Sequence, residues 1–150
     1  MEKIDELDRK ILDIITKNAR IPFKDVAEQC GVSRAAVHQR VQRMYDLGVI
    51  IGSGYLVNPK SLGYHLCAYV GIILEKGNMY NSAVCEIEKI PEVVESHYTL
   101  GSYSILIKLY ARDDMHLMSL LSRLQEIPGI AQTETLTALD QRIARTLPIE

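Results

Sequence analysis

The chain has 150 residues, 47% of them hydrophobic and 24% charged, with a formal net charge of −2. That composition is ordinary for a globular protein of one domain or two small ones, and it argues against an unspecific nucleic-acid coat protein. No apolar run approaches the roughly 18 residues of a membrane helix. No apolar stretch follows the charged Glu2-Lys3 start to act as a secretion signal. Cys30, Cys67 and Cys85 are widely spaced with no CxxC pair; they fit a reducing cytoplasm and read as small buried hydrophobes.

The spacing of Ile4, Leu7, Ile11, Ile14 and Ile15 predicts an amphipathic first helix over Ile4–Asn18. Pro22 restarts the chain in a short second helix with Phe23, Val26, Ala27 and Cys30 inward. Gly31 supplies a sharp turn, and Ser33 is placed to cap a third helix that runs to about Leu47 with Val37, Val41 and Met44 inward. Gly48 stops it. Short helix, glycine turn, capped helix is the helix-turn-helix layout. Val49–Ile51 and Tyr55–Val57 flank Gly52-Ser53-Gly54 and predict a hairpin, or wing. The expected divisions are a DNA-binding domain at 1–52, a linker strand and turn at 53–64, and a second domain at 65–150.

The second domain reads strand, helix, strand, strand, helix, strand. Strands are expected at Leu66–Leu74, Val93–Thr99, Ser104–Tyr110 and Ile130–Leu139. One helix lies near Ser82–Ile90, and another, capped by Asp113 or Asp114, carries a stripe of Leu117, Met118, Leu121 and Leu124. Two such βαβ units predict a ferredoxin-like α+β sandwich.

Charge is distributed to suit a reading head. Residues 1–52 hold nine Lys/Arg against eight Asp/Glu, and Arg20 to Arg43 holds five basic residues against two acidic. The outward face of the third helix offers Arg34, Ala35, His38, Gln39 and Gln42, with no carboxylate before Asp46. Arg bonds guanine and Gln bonds adenine in bidentate fashion. Ser33, Arg40 and Arg43 are placed to reach phosphates, which supply affinity without sequence information. The same three-helix unit also serves proteins as a docking module, with Arg40 paired to an acid of its own domain. Catalysis finds no support: His38, His65, His97 and His116 are isolated, with no metal-ligand spacing, and no phosphate-cradling glycine motif occurs. No catalytic residue, metal site or cofactor is expected.

Several segments together resemble the Lrp/AsnC family of feast/famine regulators over essentially the whole chain. Leu7-Asp8-Arg9-Lys10-Ile11-Leu12 resembles the opening motif LDxxDxxIL. Gly31-Val32-Ser33 with Val37, Arg40-Val41 and Arg43-Met44 resembles GLSxxxVxxRVxRLE. Gly48-Val49-Ile50 and Leu62-Gly63-Tyr64 resemble GVI and LGY. Gly101-Ser102-Tyr103-Ser104 departs from the common G-D-Y-D turn, lacking both acids. With Tyr98-Thr99 before it and Ile107-Lys108 after it, this turn is similar to the AsnC branch.

The resemblance implies a winged helix-turn-helix joined to a ferredoxin-like RAM-type domain, double-stranded DNA as partner, and a twofold dimer assembling to an octamer. A cytoplasmic, nucleoid-associated location is implied as well. It also implies a small amino-acid effector, asparagine for the AsnC branch, bound between dimers by Tyr98, Thr99, Leu100, Gly101, Ser102, Tyr103, Ser104, Gln125, Thr133 and Thr135. The chemistry suits such a ligand. Backbone amides near Gly101 can approach a carboxylate closely, the hydroxyls of Ser104, Thr133 and Thr135 can accept from an ammonium, and Gln125 or Tyr98 can serve a carboxamide. The alternatives are a C-terminal domain that only oligomerises, and an architectural DNA-binding protein of low specificity.

Overall fold

The computed structural model describes residues 4–150. They form two compact units: residues up to Leu56 together with Ala144–Glu150, and Val57–Ile143.

The first unit is a three-helix bundle of α1 (Glu6–Lys17), α2 (Phe23–Cys30) and α3 (Arg34–Asp46). Asp5 caps α1 by accepting from the Asp8 amide, while Asp8 accepts in return from the Asp5 amide, so two otherwise orphaned donors are satisfied. α2 ends at Gly31, whose φ of 66° closes the turn into α3. Ile11, Val26, Val37 and Met44 are fully buried between the helices. The predicted inward faces are therefore the observed ones, with Leu12 added to them. The last residues, assigned from sequence to the second domain, return to this core: Ile149 packs on it and Arg9 donates to the Glu150 carbonyl.

The predicted wing hairpin is absent. Residues 51–58 form neither helix nor strand and have no ladder partner among the described residues. Two three-residue arms offer too few hydrogen bonds to offset ordering a Gly-Ser-Gly tip. The segment is instead tethered through Tyr55, whose hydroxyl accepts from Arg20 and whose ring lies 4.5 Å beneath the same guanidinium.

The second unit is a four-stranded antiparallel sheet in the order β2-β3-β1-β4, built from β1 (Leu66–Leu74), β2 (Val93–Tyr98), β3 (Ile105–Ala111) and β4 (Ile130–Ala138). Helices α4 (Tyr80–Glu88) and α5 (Asp114–Gln125) complete the ferredoxin-like βαββαβ order. Alternation along β1 and β3 sends Ala68, Val70, Ile72, Ile105, Ile107 and Leu109 into a core closed by Ala83, Ile87, Leu120 and Leu124. On α5 the buried residue is Leu120 rather than Met118, which is 67% exposed; Met118 lies one step round the helix from the Leu117–Leu121–Leu124 stripe. The register places Tyr69, Lys108 and Leu136 in one row, and Leu106, Gly71 and Glu134 in the next, on the sheet face away from that core. Asp113 is the residue that caps α5. All three cysteines are free thiols, and Cys85 is exposed rather than buried.

Candidate nucleic-acid interface and effector site

Ser33 accepts from the Ala36 amide at 3.1 Å, fixing the first turn of α3 and leaving its own O–H to donate outward. Arg34, Ala35, His38, Gln39 and Gln42 are all exposed along α3. His38 is braced by an edge-on contact with Phe23 at 4.5 Å, and Gln42 donates to Asp46 at 3.0 Å. Among the described residues Arg34 makes no ion pair, so its guanidinium enters no internal charge network.

Arg40 and Arg43, expected from the sequence to reach phosphates, are both held by acids of their own unit in the chain without DNA. Arg40 Nη1 donates to both carboxylate oxygens of Asp5 at 2.7 Å and to Asp8 Oδ1 at 3.0 Å. Arg43 Nη1 donates to the other Asp8 oxygen at 3.0 Å. Asp8 is fully buried, and two guanidinium groups are what allow a carboxylate to stay there. The hydrogen bond from Arg40 holds the Asp5 carboxyl below its ordinary pKa, and Asp5 raises that of Arg40. These arginines first lock α3 to the start of α1. Sequence reasoning gave Asp5 and Asp8 no such role; the signal available was a pair of acids three apart at a helix start, opposite arginines three apart on the third helix.

The residues expected to meet an effector fall at one end of the sheet. Tyr98, Ile105, Ile72 and Thr133 occupy one cross-strand row. Gln125 Nε2 lies 3.3 Å from Thr133 Oγ1, so the end of α5 meets β4 within one chain. Thr135 follows on the same face of β4, paired with Val70. Tyr98 is at the opposite edge, three strand spacings or roughly 14 Å away, with its ring edge-on to Tyr80 at 4.5 Å. Between them runs the Thr99–Ser104 loop. Thr99 Oγ1 donates to the Tyr103 carbonyl at 2.8 Å, the Ser104 amide to Ile72 O at 2.8 Å, and Gly101 has φ 126°. Leu100 is fully exposed, and Ser102 is exposed beside it.

Tyr103 crosses the face of β1 away from the helices. Its ring occupies the space where a Gly71 side chain would stand, and its hydroxyl donates to Glu134. That bond is the main cause holding the Tyr103 phenol above its ordinary pKa. Gly71, Tyr80 and Glu134 were not anticipated; a glycine inside a strand was the available hint of a close approach. A cavity of about 480 Å³ lies elsewhere in this unit, between Tyr64, Tyr69, Lys108, Tyr110 and Arg142. None of the predicted effector residues lines it. Among the described residues no group of three or more His, Cys, Asp or Glu is arranged to hold a metal ion, and no helix is long and apolar enough to cross a membrane.

A capped reading helix with a polar, carboxylate-poor outer face, carried in the same chain as a ferredoxin-like sheet, defines a helix-turn-helix DNA-binding regulator with a separate assembly or sensing domain. Comparison with known proteins gives the family. The AsnC-type helix-turn-helix domain matches residues 4–45, and the Lrp/AsnC ligand binding domain matches residues 67–148. The regulatory protein AsnC of Haemophilus influenzae is 38% identical over 148 residues, covering 98% of this chain and 99% of that protein. AsnC of Escherichia coli K12 is 42% identical over 145 residues, 96% and 95% of the two chains. The solved structure of E. coli AsnC superposes with a TM-score of 0.91 over 97% of this chain and 98% of that one. A feast or famine regulatory protein from M. tuberculosis, solved with L-methionine, is 25% identical with a TM-score of 0.90, over 97% and 99%. The chain belongs to the Lrp/AsnC family of transcription regulators; it is a DNA-binding regulator and not an enzyme.

Proposed function

We propose that this protein is a sequence-specific regulator of amino-acid metabolism that reads double-stranded DNA with α3 and responds to asparagine bound by its C-terminal domain. The juxtaposition of Gln125 with Thr133, beside the Thr99–Ser104 loop and at the same end of the sheet, carries the reading. Gln125 offers both a donor and an acceptor to a carboxamide, and the glycine loop offers backbone amides to a carboxylate. Tyr98 and Thr133 sit on opposite sheet edges, so a ligand small enough for either half meets a complete site only when a second chain supplies the other half. The effector therefore belongs at a contact between dimers, where it biases assembly by binding one arrangement better than another. The 38–42% identity to proteins named AsnC favours asparagine, while the methionine complex of a 25% identical relative makes L-methionine the competing ligand.

Ser33 and the start of α3 engage phosphate, and Arg34, Ala35, His38, Gln39 and Gln42 face the bases. Two chains pair through the open faces of their sheets, where Tyr69, Lys108 and Leu136 lie, and the dimers close into an octamer around which DNA wraps. The apolar residues Ile51, Tyr55, Leu56 and Val57, largely exposed in the single chain and outside any strand, suit packing against a second copy. Selection of binding sites from a random duplex pool, with and without asparagine, tests this function. Enriched half-sites about one helical turn apart, with occupancy altered by asparagine, are expected. Enrichment of no sequence would favour an architectural protein, and indifference to amino acids would favour a domain that only oligomerises.

A further inference from the structure

We propose that Asp5 occupies, on Arg40, the place of a DNA phosphate, so that an exposed carboxylate guards the flank of the reading helix until a well-docked duplex displaces it. The proposal rests on the DNA-reading role of α3 and adds a specificity element to it.

The two acids that hold Arg40 are not equivalent. Asp8 is fully buried, with one oxygen on Arg40, the other on Arg43, and the Asp5 amide donating to it as well. No group from outside can replace it. The Asp5 side chain is 56% exposed and presents both oxygens to the same Arg40 nitrogen. An exposed ion pair of this kind is weak and exchangeable. Around it lies an open groove lined by Asp5, Gln39, Arg40 and Arg43. Gln39 belongs to the base-reading face, so the groove borders the surface that duplex DNA must approach.

The groove is chemically a phosphate seat with one wrong charge in it. Guanidinium groups bind phosphate and carboxylate oxygens in the same geometry, and the Gln39 carboxamide adds a neutral donor. As the protein stands, two arginines and two carboxylates cancel, so a passing phosphate gains little and releases no counterion there. If a phosphate takes the place of Asp5, Arg40 keeps Asp8 beneath it and gains a DNA contact above, while the Asp5 side chain turns to water. Random duplexes held loosely reach the groove but do not displace the Asp5 carboxylate. A duplex seated by its base contacts does.

The test uses the full-length chain and fluorescence anisotropy on a random-sequence duplex across a potassium chloride series. Asp5→Asn is the informative variant because asparagine caps a helix as well as aspartate does, yet it cannot neutralise a guanidinium. Asp5→Asn should bind random DNA about threefold tighter, the scale expected for removing one nearby like charge in water. Its log affinity against log salt should steepen by about 0.9 for each head engaged. In an Arg40→Gln background the same change should do nothing. Wild-type affinity and slope in Asp5→Asn would overturn the proposal, as would a gain that survives Arg40→Gln. Asp5→Ser, whose hydroxyl oxygen can likewise accept from the Asp8 amide, repeats the measurement if the asparagine variant misfolds. Unfolding of both, followed by circular dichroism, would make Asp5 a structural cap and overturn it too. Failure of the wild-type chain to bind any duplex would instead overturn the DNA-reading role itself, a result readily told apart.

Discussion

Tyr103 reaches across β1 to donate its hydroxyl to Glu134 on β4, and it can do so only because Gly71 beneath it has no side chain. A Cβ at Gly71 would stand 2.6 Å from the Tyr103 ring, inside any tolerable contact. The loop bearing Gly101 and Ser104 is thereby tied to the strand bearing Thr133 and Thr135. Gly71→Ala should therefore displace the loop and destabilise the unit by about 1–3 kcal/mol, the usual scale of overpacking. Tyr103→Phe should leave the ring seated and remove only the link to β4. Denaturant unfolding of the two variants checks the order: the alanine variant should be the less stable.

Asp8 holds two arginines from a fully buried position. Asp8→Ala removes a buried charge and leaves two guanidinium groups that are 31% and 53% exposed and can turn to water. The loss should be about 1–3 kcal/mol, the cost of missing charged hydrogen bonds, rather than the larger penalty of stranding a charge in the interior. Urea unfolding of the chain measures it.

The Arg40 guanidinium lowers the Asp5 carboxyl from its ordinary value of 3.8. A folded-state pKa below the unfolded one means that the pair's contribution is fully present above the unfolded value and disappears as pH falls through the lowered one. Melting temperatures of wild type and Asp5→Asn should differ at neutral pH and converge below the ordinary carboxylate range. A constant gap down to strongly acid pH would contradict the pairing.

Arg34→Ala and Gln39→Ala should each cost about 1–3 kcal/mol on a selected operator, the value of a bidentate base contact. On random DNA they should cost far less. Equal losses on both duplexes, measured by anisotropy at matched salt, would remove these residues from base reading. Arg40→Gln and Arg43→Gln should lower stability as well as affinity, because their first partners are carboxylates of α1.

Ser104→Ala and Gln125→Ala should weaken the effector by about tenfold each if both meet it directly, the worth of one hydrogen bond to a charged or well-placed polar partner. Ser104 donates its amide to Ile72 O at 2.8 Å, which alanine keeps, and alanine removes only the long 3.5 Å bond that the Leu74 amide donates to its hydroxyl, so the fold should survive. An unchanged ligand response in both would show the site to be misplaced.

Most of the fold was legible because its elements announce themselves locally. Gly31, Ser33 and Gly48 punctuate α3, and the alternating Ala68, Val70 and Ile72 against Ile105, Ile107 and Leu109 could form only a sheet with one face buried. Element boundaries followed to within a residue or two. What escaped the sequence were contacts between distant segments. Tyr103 with Gly71 and Glu134, Arg20 with Tyr55, and Arg40 with Asp5 join residues whose spacing carries no period. The predicted wing failed for the complementary reason: alternation indicates that a segment is extended, but not whether a partner strand is there to pair with it. The return of Ile149 to the first core belongs to the same class.

On the proposed function, Gln125, Thr133 and the Gly101 loop form an amino-acid site. Calorimetric titration of the full-length protein, free of DNA, with asparagine alongside methionine, aspartate, glutamine and leucine tests it most directly. Saturable binding that prefers asparagine, and that is lost in Gln125→Ala, is the result the site predicts. Absence of heat with every amino acid would contradict it, leaving a DNA-binding regulator whose second domain serves assembly alone.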